Sequence, residues 1–204
     1  MTLITFGQVF AVCLLGAMSP GPSMAVVIRN AIFKGKYNGI LTSIGHGVGI
    51  TIYAIFAVLG LGLIINANIF VFYTLNILSV IFLIFIGMKS ILNREKINLE
   101  KKNVQEKTIS FLQGFSIAIF NPKILVWFIA IYSQFMSINN ELIFNIYLVF
   151  IAGAIDACWY IALTLMVSTD RALNFFQKKI IYINKIQGML LIALGLGILF
   201  NLLI

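Results

Sequence analysis

The stretch "GAMSPGPSMAVV", residues 16–27, decides how the chain is read. It sets Pro20, Gly21 and Pro22 in the middle of an apolar run long enough to cross a bilayer. Proline has no N–H and clashes with the preceding helical turn, so the run is expected to unwind or kink there. Backbone groups freed in this way cannot face lipid. They must face protein or a water-lined cavity. A second run, "IAIFNPKILVWF" at 117–128, carries Asn121, Pro122 and Lys123 near its centre.

Around these two breaks the chain reads as an all-α integral membrane protein. Of 204 residues, 61% are hydrophobic and 10% charged, against about half and a quarter in a soluble domain. Mean hydropathy is +1.06. Six transmembrane spans are expected at about 3–28, 39–64, 69–92, 110–136, 143–167 and 183–204. The chain is a single transmembrane transporter domain in this reading, with repeat one at about 1–92, a cytoplasmic loop at about 93–109 and repeat two at about 110–204. The segment "NREKINLEKKNVQEKT", 93–108, reads as a charged connecting loop, with a surface helix as the alternative. No Lys or Arg precedes the first apolar run, so no cleavable signal peptide is expected.

The links sort by charge. Link one holds Arg29, Lys34 and Lys36. Link three holds Lys89, Arg94, Lys96, Lys101, Lys102 and Lys107. Link five holds Arg171, Lys178, Lys179 and Lys185. Together these are thirteen of the fourteen basic residues. The links "INANIF" (65–70) and "MSINNELIF" (136–144) have none. Basic links stay in the cytoplasm, so both termini are expected outside. The net charge of +8 is then a topology signal and calls for no nucleic acid. The fourteenth base, Lys123, lies inside span four.

Each break falls in the first span of a three-span half, and an odd number of spans inverts the second half relative to the first. Interrupted helices at corresponding places in inverted repeats point to a transport site near the midplane. The half-helix after each break starts with exposed N–H groups and the positive end of a dipole, which suits an anionic group such as a carboxylate. A kink that only shapes packing is the alternative.

Few ionisable groups lie at depth. Asp156, in "GAIDACWYIAL", sits about halfway through span five, where an aspartate costs roughly 2.5–3.5 kcal/mol to insert. It suits the counter-charge of a substrate ammonium or a proton acceptor, with a structural pair to Lys123 as the alternative. His46, the only histidine, is expected as a hydrogen-bonded interior residue near the cytoplasmic end or, alternatively, as part of a proton relay with Asp156. Gly45 and Gly49 form GxxxG, Gly47 adds a small residue on another face, and Gly35 and Gly39 repeat the spacing; tight helix packing is expected. Gln113, Asn121, Tyr53 and Trp127 could line a polar path, though Trp127 and Trp159 equally suit plain packing. Cys13 and Cys158 read as small packing residues, without a disulfide framework, zinc site or other metal site.

These features fit a secondary transporter and not an enzyme. No GxxxxGK[ST] phosphate loop occurs, and the spans carry no pair of acids or recognisable catalytic arrangement. Repeated pore-lining polar rings are missing, which speaks against a channel. A divalent metal cation exporter, which wants several buried acids or thiolates, is the alternative.

The sequence resembles the lysine exporter (LysE) superfamily, closest to its homoserine/threonine resistance (RhtB) branch. The resemblance rests on "SPGPSMAVVIRNAIFKGKYNGILTSIGHGVG", "GFSIAIFNPKILVWFIAIYSQF", "GAIDACWYIAL" and "INKIQGMLLIALGLGILF", in order along most of the chain. It implies proton-driven export of amino acids from the cytoplasm across a bacterial inner membrane, without a cofactor. It picks out Pro20, Gly21, Pro22, Asn121, Pro122, Lys123 and Asp156 as substrate-binding residues. Some relatives carry an acid in span two; here His46 is the nearest ionisable group. The expected partners are an amino acid, protons and membrane lipid, with no nucleic acid; assembly into a homo-oligomer stays open.

Overall fold

A computed structural model describes residues 3–92, 109–136, 141–167 and 170–203. The described residues form eight α-helices: α1 Leu3–Met18, α2 Pro22–Phe33, α3 Lys36–Ala67, α4 Ile69–Leu92, α5 Ser110–Ile119, α6 Pro122–Phe135, α7 Leu142–Val167 and α8 Asp170–Leu203. No strand occurs among them.

Four helices are long and apolar enough to cross a membrane alone. The rest form two bent pairs: α1 and α2 meet at 64°, α5 and α6 at 57°. Both bends fall at the prolines expected to break the first and fourth spans. Counting each pair as one span gives six, in the order broken, long, long, repeated once. Because each half has three spans, the second half runs opposite to the first.

The packing places the two halves against each other. Helix α3 lies along α7 and α5, and α4 lies along α8. Close approach needs glycine at these crossings. A Cβ on Gly45 would overlap the Phe111 carbonyl, and one on Gly114 would overlap the Thr42 carbonyl, so α3 and α5 touch backbone to backbone. On the other face of α3, a Cβ on Gly47 would lie 2.7 Å from Ala157 Cβ and 2.9 Å from the Gly153 carbonyl of α7. Gly49 lies on the α5 side again, where a Cβ would sit 2.6 Å from Ala118 Cβ. The tight packing expected of this glycine run is therefore what the helices use it for.

The connections are shorter than the sequence implied. Only Lys34 and Gly35 separate α2 from α3, and Gly35 turns the chain at φ 90°. The expected link "INANIF" shrinks to Asn68, because its Oδ1 accepts from Phe70 N–H (2.9 Å) and Val71 N–H (3.2 Å) and starts α4 at once. Helix α8 begins at Asp170, well ahead of the expected span at 183, and its apolar portion is Lys178–Phe200. Much of link five is thus a helical extension beyond the apolar part. The charged segment 93–108 lies outside the described residues.

Buried apolar side chains form two clusters. One joins α1, α3, α6 and α7 through residues such as Val12, Ile50, Phe128 and Leu148. The other, toward the basic-link end, joins α2, α7 and α8 through Met24, Ile28, Leu163 and Ile180. Large apolar residues such as Phe56, Leu63, Phe150 and Phe200 point outward, as lipid-facing side chains do. Cys13 is buried, but Cys158 is exposed on this outer surface and is no packing residue.

Candidate functional site

A cavity of about 60 Å³, enough for a few water-sized groups, lies where the two breaks face each other. Its wall includes Ser19, Gly21 and Ser23 from break one, Asn121 and Lys123 from break two, His46 from α3, and Asp156 and Tyr160 from α7. Both apolar clusters reach its wall, the first through Cys13, Ala17, Ile50 and Phe128 and the second through Tyr160.

The prolines make the breaks without lining the cavity. Pro22 and Pro122 each occupy the first turn of a half-helix, where the missing N–H costs nothing, and their rings are exposed. Pro20 contributes its carbonyl, which accepts from Lys123 Nζ at 3.3 Å. The side chains beside the prolines face inward instead.

The two breaks are stitched to each other. Lys123 Nζ donates to Ser19 Oγ as well as to the Pro20 carbonyl. Asn121 Nδ2 donates to Ser23 Oγ at 3.2 Å, and Asn121 Oδ1 accepts from Lys123 N–H at 3.1 Å, capping α6. The orphan carbonyl of Ile119, at the end of α5, accepts from Tyr53 Oη at 2.5 Å. Tyr53 thus serves break two from behind and does not line the cavity.

Asp156 pairs with His46, not with Lys123. Nδ1 and Oδ2 lie 2.6 Å apart, and the two residues are 1% and 5% exposed. The pairing follows from the glycine seam: Gly47 brings α3 so close to α7 at Ala157 that the preceding residue, His46, meets Asp156. His46 lies ten residues into α3, about 15 Å from its start, so it is deeper than its place in the sequence suggested. It reaches mid-helix Asp156 while its ring meets Tyr160 edge-on at 4.9 Å. The second ring nitrogen, Nε2, is buried and has no partner among the described residues. A buried carboxylate is held where neighbours donate to it, so the pair keeps the acid in the apolar interior and leaves a polar atom of His46 over.

Gln113 belongs elsewhere. With Asn30, Thr42 and Lys34 it forms a network near the basic-link end: Asn30 Nδ2 donates to Thr42 Oγ1 and Gln113 Oε1, both at 2.8 Å, and Lys34 Nζ donates to Gln113 Oε1 at 3.2 Å. Of the two tryptophans, Trp127 lines the cavity and Trp159 packs between the apolar clusters. Ser19, Ser23, Tyr160 and Cys13 were not singled out as site residues from the sequence, yet all line the cavity. For the two serines a signal was present: they flank the break directly, in "SPGPS".

Six apolar spans, two of them broken at facing positions around a cavity lined by both polar and apolar side chains, define a multi-pass membrane protein of the translocator class. The LysE type translocator family matches residues 14–202, and the chain belongs to that family. It is 21% identical over 206 residues to the threonine efflux protein of Escherichia coli (strain K12), covering 98% of this chain and 99% of that one. It is 25% identical over 193 residues to the "Uncharacterized membrane protein YrhP" of Bacillus subtilis (strain 168), covering 87% and 90%. With the threonine efflux protein of Salmonella typhi it shares 25% identity over 142 residues, 67% of this chain and 69% of that one. No solved structure matches the chain.

Proposed function

We propose that the chain exports amino acids from the cytoplasm across a bacterial inner membrane, driven by the proton gradient. The observation that carries this reading is the convergence of both breaks and the His46–Asp156 pair on one cavity. The family and the relatives named for threonine efflux support amino-acid efflux as the class of activity. The basic links face the cytoplasm and both termini face out, by the charge sorting of the links.

The substrate is a zwitterion, and the cavity offers a partner for each end. The carboxylate meets Lys123 Nζ and the free N–H groups at the start of α2. The first main-chain bond of α2 runs from Ala25 N–H to the Gly21 carbonyl at 3.1 Å, so Ser23 and Met24 N–H lie ahead of the ladder. The ammonium meets Asp156. A proton arriving from outside neutralises the Asp156–His46 pair, weakens its hold on the ammonium and favours outward release. Access alternates as the halves rock: the cluster around Met24, Ile28 and Leu163 and the Asn30 network close the cytoplasmic side, and the cluster around Val12, Phe128 and Leu148 closes the outer one. The divalent-cation alternative gains no support, since no three His, Cys, Asp or Glu come together as ligands among the described residues.

The test is efflux from cells lacking their own exporters and loaded with dipeptides. Expression of the chain should speed the exit of at least one amino acid, and Asp156→Asn should abolish that gain while membrane insertion stays near normal. Undiminished efflux by that variant removes Asp156 from the mechanism.

A further inference from the structure

A larger space lies beside the cavity at the breaks. It is a groove of about 450 Å³ between α1, α6 and α8, within the range of small-ligand clefts, about 300–1,000 Å³. Its wall includes Gln8 and Val12 from α1, Ile131 and Gln134 from α6, and Gly197 and Ile198 from α8. Val12 and Ile131 directly precede Cys13 and Tyr132, which line the inner cavity. The two spaces thus share α1 and α6 as walls, and buried Val12 and Ile131 stand at their boundary. Gln8 and Gln134 lie about one turn farther toward the end of the bundle opposite the basic links.

The groove exists because α1 and α6, the outer halves of the two broken spans, lean on different neighbours. Tyr147 Oη of α7 donates to the Phe6 carbonyl of α1 at 3.0 Å, and the Phe6 ring meets the Tyr147 ring edge-on at 4.6 Å. On α6, Ser133 Oγ donates to Asn76 Oδ1 of α4 at 2.6 Å, and Gln134 Nε2 donates to the same oxygen. Between themselves α1 and α6 touch at few points. The inner halves behave in the opposite way: Asn30 Nδ2 of α2 donates straight across to Gln113 Oε1 of α5 at 2.8 Å. The bundle is bolted at the basic-link end and parted at the other.

We propose that the groove between α1, α6 and α8 is the route by which the transported amino acid leaves, a proposal that rests on the export reading. Movement of the Val12 and Ile131 side chains joins it to the inner cavity. Gln8, exposed in the groove, carries both a donor and an acceptor and no charge, so it serves each end of a zwitterion without trapping either. On the α8 side there is room to spare, since a Cβ at Gly197 would meet nothing within 4 Å among the described residues.

Gly197→Trp therefore fills the groove without reaching the residues at the breaks. Efflux is measured from dipeptide-loaded cells, with Gly60→Trp as the control; a Cβ at Gly60 likewise meets nothing within 4 Å among the described residues, and Gly60 lies outside the groove. Gly197→Trp should slow efflux at least about tenfold, as a blocked release step does, while Gly60→Trp stays close to the unsubstituted chain. In a second arm, whole cells carrying Gly197→Cys are treated with a membrane-impermeant cationic methanethiosulfonate, which needs a thiolate and so reacts in water and not in hydrocarbon. Labelling above the level of the unsubstituted chain is expected, with efflux falling in step; this arm reads the same block should Gly197→Trp fail to reach the membrane. No labelling above that level means a crevice filled by lipid chains, and overturns the exit route whether or not the chain transports. Undiminished efflux by Gly197→Trp, or by labelled Gly197→Cys, overturns the exit route and leaves export standing. No efflux by the unsubstituted chain overturns the export reading, and the exit route with it.

Discussion

The two breaks are alike in the sequence and unlike in the fold. Each is a proline-marked interruption at the centre of an apolar run, and each bends its span by about 60°. At break one the residue before the helix is Gly21, which has no side chain to cap α2, so the first N–H groups stay available. At break two the same place is held by Asn121, whose Oδ1 closes the N-terminus of α6 on itself. Break one therefore presents backbone, and break two presents side chains, Lys123 and Asn121, that reach across to break one. Inverted repeats need not supply equivalent halves of a site. Here one half supplies the donors of a helix start and the other the charge beside them.

Of the variants that test this division, Lys123→Gln has the largest expected effect. It removes the cation but keeps a donor, and should raise the half-saturating substrate concentration for efflux on the order of 100-fold, the scale of a charge-assisted hydrogen bond. An unchanged half-saturation would mean that break two contributes no charge to the site.

Gly21→Ser sharpens the contrast from the other side. A Cβ at Gly21 has room, with its nearest neighbours Lys123 Nζ at 3.9 Å and the Ser19 carbonyl at 4.0 Å. The serine should cap α2, claim an N–H from the substrate and lower transport by roughly tenfold, while thermal stability of the purified protein holds or rises. Asn121→Ala should act in the opposite sense, mainly on stability: loss of the α6 cap costs about 1 kcal/mol, read as a lower melting temperature in detergent, with a smaller change in half-saturation. Equal transport defects in the Gly21 and Asn121 variants would erase the distinction between the breaks.

The membrane class, the number of spans and the places of both breaks were legible because they depend on local chemistry. Apolar runs partition into lipid, and proline interrupts a helix wherever it stands. The Gly45–Gly49 face was legible for the same reason. Other features were not. The partner of Asp156 could not be read from spacing: Lys123 stood at similar depth and His46 was expected near the cytoplasmic end, and only the close approach of α3 to α7 at Gly47 brings His46 to Asp156. The prolines were named as site residues, but in a helical turn the neighbours of a helix-starting proline point elsewhere, and here they face inward while its ring faces out. Ser19 and Ser23 entered the cavity by that rotation.

Link lengths failed for a different reason. Polar residues such as Asn68 and the basic residues of link five were read as loops, yet one became a helix cap and the others extended a helix. Polarity marks where the chain meets water or headgroups and does not by itself end a helix.

Composition and pattern alone fixed that this chain is a helical membrane protein with two mirrored interruptions, because hydrophobic partitioning and the missing N–H of proline act on each segment without reference to the rest. Tertiary structure decided that the interruptions share one cavity, that Lys123 leans on break one, and that His46 holds Asp156. Those outcomes depend on how closely glycine lets the helices approach and on the rotation each helix then adopts, quantities that no single segment contains.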